Sequence, residues 1–482
     1  MIMLLCTQAR VRALLVTWIF NMNTELEILV NSFKPEFGNL DHIDIVRLLG
    51  KLKKQKSEKE IEFLEKILIQ KLTKVCKHVY KLRPYQQRAF DAIKKNLNVK
   101  GASLVVMPTA SGKSHVIAHT ATLSDNVLIL QPSQELLAQN LEKLKLLVPA
   151  KDIGIYSASF GKKEIKKFTF ATIQSVYKNP QLFSHIKLVI IDECHNVALR
   201  SLGTMYKSFL DKMGSPKCFG FTATPYRLEV GYKRFKNGDL VAMTMLKMLN
   251  RMRHKTEKGM FWKKIVYYIS HERLLEQGYL SPIKYIHEPL MPYSEIPVNK
   301  SRSDYNLEGY TQAIVGFEAK TLATINEAQK RYKSVLVFCS SKEQAENYQN
   351  IIKGSELIVG DTNKKKRVKL IAGFKDGTIK TMFNVGVLTT GFDHPALDCI
   401  VLLRPTRSPL LYNQIIGRLT RLAEGKECGT VIDLTGTCKR MGKIETFKLY
   451  KNERGLVNLR TEKHSAWHDM CLYSRFISKK EI

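Results

Sequence analysis

Residues 188–196 read "LVIIDECHN", an apolar strand that ends in two carboxylates, Asp192 and Glu193. Carboxylates leaving the C-terminal end of a buried parallel strand face the ligand crevice of an open α/β sheet. There Asp192 can hold Mg²⁺ through water, and Glu193 can orient and deprotonate an attacking water. A lone Asp-Glu pair can equally be a solvated helix cap. What separates the two readings lies about eighty residues upstream.

Residues 105–121, "VVMPTASGKSHVIAHTA", place an apolar strand, a turn and Gly112-Lys113-Ser114 in succession. Backbone N–H groups at a strand–loop–helix junction point at phosphate oxygens, and the helix N-terminus adds partial positive charge. Lys113 can reach outer phosphates and Ser114 can ligate Mg²⁺. The strict G-x-x-x-x-G-K-[ST] pattern needs glycine at Met107, so Gly-Lys-Ser alone is a weak signal. Followed by the Asp192-Glu193 strand, it becomes half of a nucleotide site.

Around these two features the chain alternates short apolar runs with helical stretches from about Lys81 onward. "ASLVV", "NVLIL", "IGIYS", "FTFAT", "KLVII" and "KCFGF" form one series, and "SVLVFC", "SELIV", "IKTMF", "LDCIVLL" and "GTVIDL" a second. This is the pattern of βαβ units on parallel sheets. The expected architecture is α/β, with two tandem parallel-sheet domains at 80–290 and 291–445, joined through the proline-bearing segment 274–300. A basic insertion without a clear strand is expected at 226–264, and a C-terminal tail at 446–482. Ile61, Leu64, Leu68, Leu72 and Val75 fall at helical spacing, so residues 1–79 read as a small helical accessory domain. Residues 1–21 are left unassigned: the apolar run Ala13–Phe20 is too short to span a bilayer and no small-residue cleavage site follows.

Lys and Arg number 77 against 44 Asp and Glu, a formal charge of +33 over 482 residues. An excess of this size favours a polyanionic partner, with a Lys-rich solubilising surface as the plainer alternative. The nine cysteines include no C-x-x-C pair, which argues against a zinc module and a secreted disulfide framework and for a reducing cytoplasm. No membrane association is expected.

An ordered set of further motifs makes the reading specific. "IDECH" resembles the DExH box of superfamily-2 helicases and translocases. "LRPYQQ" (82–87), "QPSQELL" (from Gln131), "ATIQS" (from Ala171), "GFTATPYR" (from Gly220), "VLVFCSS" (from Val335), "NVGVLTTGFD" (from Asn384) and "QIIGRLTR" (414–421) resemble that superfamily's other motifs, in order. Together they cover roughly residues 80–440. "GFTATPYR", "LLEQGYLSP" and "NVGVLTTGFDHPALDCIVLLRPTRS" are similar to phage and bacterial recombination helicases of the UvsW-like group. Only Cys428, Cys438 and Cys471 follow "QIIGRLTR", so the cysteine-rich tail of many bacterial relatives is not expected here.

The resemblance implies two RecA-like domains with ATP and Mg²⁺ in the cleft between them. Gln86 would read adenine, and Thr109, Ala110, Ser111, Gly112, Lys113 and Ser114 would hold the phosphates. Ala110 stands where glycine is usual, and its Cβ resists positive φ. Asp192 and Ser114 would take Mg²⁺. Arg418 and Arg421 would reach across the cleft to the transferring phosphoryl group, with Gln414 beside them. His195, Thr222 and Thr224 would pass on the nucleotide state, and Gly391 and Asp393 would form a hinge. Nucleic acid would meet Pro132, Ser133, Thr172, Gln174, Ser340, Ser341 and Thr389. In the basic insertion, Arg234, Arg253 and Trp262 suit strand separation; packing of its aromatics on the first domain is the equal alternative.

The expectation is an ATP-dependent DNA helicase acting as a monomer on single-stranded, forked or branched DNA, with replication or recombination proteins as further partners. An RNA helicase and a double-strand translocase without unwinding are the rivals. If phage-encoded, it would work in the host bacterial cytoplasm.

Overall fold

The computed structural model describes residues 81–197, 202–234, 240–249, 261–299, 304–389, 391–451, 453 and 457–463. The expected N-terminal helical domain, 1–79, and Arg253 lie outside the described residues, as does most of the tail.

Helix α1 (Pro84–Lys95) leads into the first sheet. Its strands are β1 (Ala102–Val106), β2 (Val127–Leu130), β3 (Ile153–Ser157), β4 (Lys162–Lys163), β5 (Phe168–Ala171), β6 (Leu188–Ile191) and β7 (Lys217–Thr222), with helices α2 (Lys113–Ala121), α3 (Gln134–Leu144), α4 (Ile173–Val176) and α5 (Leu202–Lys212) between them. A hairpin, β8 (Tyr226–Arg234) and β9 (Leu240–Met248), precedes β10 (Trp262–Tyr268) and α6 (His271–Glu276). The sheet order is β10-β1-β7-β6-β2-β5-β3-β4, parallel except for β4. The central strands read as continuous apolar runs because both faces are covered. Val105, Ile129, Ile190 and Phe219 point into one core, while Leu104, Leu128, Val189 and Cys218 point into the other.

The second domain repeats this plan with β11 (Ile283–His287), α7 (Leu307–Ala313), α8 (Glu318–Arg331), β12 (Val335–Phe338), α9 (Lys342–Ile351), β13 (Ser355–Ile358), α10 (Lys364–Asp376), β14 (Thr381–Asn384), β15 (Cys399–Leu402), α11 (Pro409–Ile416), β16 (Gly429–Asp433) and α12 (Thr437–Met441). Its order is β11-β16-β15-β12-β14-β13, parallel throughout. Both sheets therefore carry the α/β, RecA-like arrangement expected of the motifs.

Three expectations change. The domain boundary at 290 is too late: β11 pairs with β16, so the second sheet begins at Ile283, just after Pro282. Residues 446–463 are not simply tail. Strands β17 (Lys448–Lys451) and β18 (Val457–Arg460) form a hairpin whose Leu459 joins the second core beside Phe447. The insertion at 226–264 is also not strandless. Tyr226, Leu228, Val230 and Tyr232 alternate with Arg227, Glu229 and Lys233, the period-two pattern of β8, which pairs antiparallel with β9 from Tyr226–Met248 to Arg234–Leu240. Tyr226, Leu246 and Met248 at the hairpin base belong to the second domain's core.

Trp262 opens β10, the edge strand of the first sheet, and is only 2% exposed. A Cβ on Gly220 would lie 2.3 Å from its ring, so the glycine makes room for the indole. Lys263 and Lys264 point outward beside it, which is how a sheet edge is kept from pairing with other chains. Trp262 is thus a core residue, and its assignment to nucleic acid is withdrawn. Replacing it with alanine should cost about 3–5 kcal/mol in urea-denaturation measurements. A loss below about 1 kcal/mol would contradict this placement.

Candidate functional site

The phosphate-loop segment leaves β1 at Met107, whose N–H donates to Thr222 O across to β7 (3.0 Å). It turns at Pro108–Ser111, where Ser111 Oγ donates to Pro108 O at 2.6 Å. Two residues take left-handed backbone: Ala110 at φ 66° and Gly112 at φ 72°. At Gly112 a Cβ would lie 2.5 Å from Gln86 Nε2. Ala110 adopts the positive φ that its Cβ disfavours.

Gln86 does not enter the cleft. Its Nε2 donates to Ser111 O (3.0 Å) and Gly112 O (3.4 Å), and its Oε1 accepts from Arg83 N (2.9 Å). Tyr85 OH donates to Ser111 O at 2.7 Å. Gln86 braces the loop from behind, and the Ser111 side chain is turned inward with it. The assignments of Gln86 to adenine and of Ser111 to phosphate are corrected accordingly.

The remaining loop residues, Thr109, Ala110, Gly112, Lys113 and Ser114, line a cleft of about 270 Å³ between the two domains. Lys113 Nζ lies 3.3 Å from Pro108 O, 3.4 Å from Met107 O and 3.9 Å from Glu193 Oε1. Asp192 is buried at the end of β6. Its Oδ2 accepts from Asn140 Nδ2 on α3 (2.8 Å), and its Oδ1 accepts from Glu193 N (2.9 Å). Burial, helped by the Glu193 charge, raises its pKa to about 6.

Glu193 itself sits at φ 46°, a strained conformation for a residue with a Cβ. Its Oε2 lies 3.2 Å from His195 Nδ1. The same nitrogen is 2.9 Å from Thr222 Oγ1 and 3.4 Å from Thr224 Oγ1. Across the cleft, Gln414 Nε2 lies 3.2 Å from His195 Nε2. The amide can donate to Nε2 only if the proton is on Nδ1, which then donates to Thr222 or Glu193. Burial lowers the pKa of His195 to about 3, so the ring is neutral in this role. The proposed coupling residues therefore form one connected chain from Glu193 to the second domain.

Arg418 and Arg421 reach the cleft from the segment following α11. Arg418 Nη1 donates to Phe392 O, and Arg421 Nε pairs with Asp393 at 2.8 Å. Burial, with the Arg421 charge next, lowers Arg418 to about 9. Arg418 Nε and Arg421 Nη1 are buried without hydrogen-bond partners among the described residues. Such N–H groups are costly to bury unless an anion uses them. Together with the loop and Asp192, they fit the phosphates and Mg²⁺ of a bound nucleotide.

Thr389, Gly391 and Asp393 line the same cleft, so the structure places Thr389 with the phosphate-loop residues. Gly391 (φ 72°) offers its carbonyl to Gln139 of α3 at 3.0 Å. Gln139 and Asn140 went unnoticed in the sequence. They lie two and three residues beyond "QPSQELL", and nothing in that segment signals which turn of the helix faces Asp192.

The other expected nucleic-acid residues sit at carboxyl ends of strands. Ser133 caps α3 by accepting from Leu136 N (3.3 Å), and Ser341 caps α9 by accepting from Gln344 N (3.1 Å). Thr172 Oγ1 meets Ser175 Oγ (3.0 Å), Ser340 Oγ donates to Leu403 O (2.7 Å), Pro132 is half-buried and Gln174 is exposed. Arg234 closes β8, with its side chain outside the described residues.

Two outcomes follow. Ala110→Gly should stabilise the fold by up to about 1 kcal/mol in denaturant titration, because it removes the left-handed penalty at some entropic cost. ATP hydrolysis should fall as pH drops through about 6, as Asp192 takes a proton. Its folded pKa lies above its unfolded one, so this group's contribution to stability is fully present below the unfolded value and is lost as pH rises to about 6. Bound Mg²⁺ favours the anion, so raising Mg²⁺ should move the activity limb to lower pH. A limb insensitive to Mg²⁺ would separate Asp192 from the metal.

Two family models match the chain: "Type III restriction enzyme, res subunit" over residues 79–227, and "Helicase conserved C-terminal domain" over 319–423. The chain is 26% identical over 404 residues to a Saccharomyces cerevisiae protein described as an ATP-dependent helicase, IRC3, covering 76% of this chain and 53% of that one. It is 28% identical over 385 residues to a mitochondrial ATP-dependent helicase, irc3, of Schizosaccharomyces pombe, covering 75% and 58%. It thus spans little more than half the length of these relatives. Among solved structures, a fragment of an HsdR subunit of a type I restriction enzyme from Vibrio vulnificus shares the fold, with a TM-score of 0.54 at 20% identity over 75% of this chain and 65% of that one. The matched segments contain the phosphate loop, the Asp192-Glu193 strand and both cleft arginines, and on these grounds the chain belongs to the superfamily-2 ATP-dependent helicases.

Proposed function

We propose that the chain is an ATP-driven motor on DNA that unwinds or branch-migrates forked or branched structures in replication, repair or recombination, in the manner of the UvsW-like group. The observation that carries the motor reading is the division of one cleft between two domains. Lys113, Asp192 and Glu193 come from the first, and Gln414, Arg418 and Arg421 from the second. A nucleic-acid track is supported by the charge of +33, and DNA by the match to a restriction-enzyme family model.

In this reading the loop amides and Lys113 bind the outer phosphates, and Ser114 and Asp192 hold Mg²⁺. Bound Mg²⁺ supplies charge neutralisation on the phosphate oxygens. Glu193 orients the attacking water and accepts its proton, with His195 fixing the carboxylate at 3.2 Å. Arg418 and Arg421 stabilise charge on the transferring phosphoryl group only when the domains are together, so hydrolysis is tied to closure. The connected chain through His195, Thr222 and Gln414 carries the nucleotide state between domains.

ATPase activity should rise strongly with added polynucleotide, and Lys113→Ala should reduce kcat by ~100-fold or more. Turnover that ignores polynucleotide would sink the motor reading. Unwinding assays on single-stranded DNA, duplex, forks, four-way junctions and RNA decide the track. Preference for RNA would overturn the DNA assignment, and stimulation by duplex without strand separation would indicate a double-strand translocase.

A further inference from the structure

The cleft arginines stand on backbone at and past the end of α11, which closes at Ile416. Three successive carbonyls of that backbone are held. Leu419 O accepts from Lys426 Nζ (2.7 Å), Thr420 O accepts from Ser281 N (2.8 Å), and Arg421 O accepts from Lys426 Nζ again (3.0 Å). The same ammonium donates to Pro395 O at 3.3 Å, 31 positions earlier in the chain. A lysine that caps the last carbonyls of a helix is ordinary. A lysine that also binds a separate segment is a clamp.

What the clamp joins is the arginine site. Asp393 stands just before Pro395 and pairs with Arg421 Nε at 2.8 Å, and Phe392 O accepts from Arg418 Nη1. Both arginine side chains are therefore gripped by the segment 392–395, and Lys426 fastens that segment to the backbone of Arg421. Lys426 itself does not line the cleft. The loop that returns it is also fixed. Gly425 takes φ 69°, Lys426 N donates to Ala423 O (3.2 Å), and a Cβ on Gly429 would lie 2.6 Å from Leu419 Cβ. Burial lowers Lys426 to about 8; Asp398 opposes the shift, Arg421 adds to it and Cys428 opposes it again. His394 faces the same ammonium. A neutral amine would have two protons for three carbonyls and no charge to hold them.

We propose that Lys426 is a positioning residue for the cleft arginines: its ammonium sets Arg421 against Asp393, so that the guanidinium meets the transferring phosphoryl group when the domains close. The role rests on the motor reading above and adds to it a residue that touches no substrate.

The test is steady-state ATP hydrolysis by the full chain with saturating polynucleotide. Lys426→Met should lower kcat ~10-fold or more and leave KM for ATP within about threefold of wild type, because a misplaced guanidinium is felt most in the transition state. Lys426→Arg, which keeps the charge, should recover most of the rate. In an Arg421→Met background, Lys426→Met should add no further loss, since the residue it acts through is already gone. Wild-type kcat should fall as pH rises through about 8, and Lys426→Arg should move that limb upward. A limb set by Arg418, lowered to about 9, would stay where it is. Unchanged kcat in Lys426→Met overturns the proposal. An equal further loss in both backgrounds also overturns it and makes Lys426 a general support of the fold. If Lys426→Met does not fold, the pH limb decides: the same limb in wild type and Lys426→Arg overturns the assignment. Failure of the motor reading looks different, because Arg421→Met would then keep full turnover or the wild type would ignore polynucleotide.

Discussion

A carboxylate taken out of water must be given partners or it takes a proton. Asp192 is placed at the end of a strand that is buried on both faces, and the site is arranged around that difficulty. Asn140 and the Glu193 N–H each donate to one of its oxygens, and Lys113 lies close enough to oppose the rise in its pKa. The same burial that raises Asp192 lowers His195 and Arg418. These three groups are thus poised away from their ordinary charge preference, which is the condition in which a bound phosphate and metal have most effect.

Much of this was legible because it depends on short-range rules. Fully apolar strands, the Gly112-Lys113-Ser114 loop and the paired carboxylates announce themselves by residue type and order. Parallel strands place all of them at one edge of a sheet. The cleft arginines were legible only through the resemblance of "QIIGRLTR" to a superfamily-2 motif, and their buried N–H groups were not legible at all.

What was hidden depends on which atoms face one another. Gln86 sits in a recognisable segment but spends both ends of its side chain on the backbone around the loop. Trp262 looked like a stacking residue among cations, and only the space above Gly220 shows it to be core. β8 carries a period-two alternation, Tyr226, Leu228, Val230 and Tyr232 against Arg227, Glu229 and Lys233, inside a stretch whose basic charge suggested an insertion without strands. Asn140 and Gln139 gave no signal because a helix segment does not state which of its residues will meet a partner 52 or 252 positions later.

The two domains are joined by two kinds of contact. On the β10 side, the β17–β18 hairpin inserts Leu449 between both cores, and Tyr268 OH donates to Leu449 N at 3.0 Å. On the α3 side, the contacts are polar: Gln139 to Gly391 O, and Lys364 to Gln134 at 3.3 Å. Water can replace the second set at little cost, but not the first. The molecule is therefore built like a book, with a greasy spine and pages held by exchangeable bonds, and turning about the spine is its cheapest large motion.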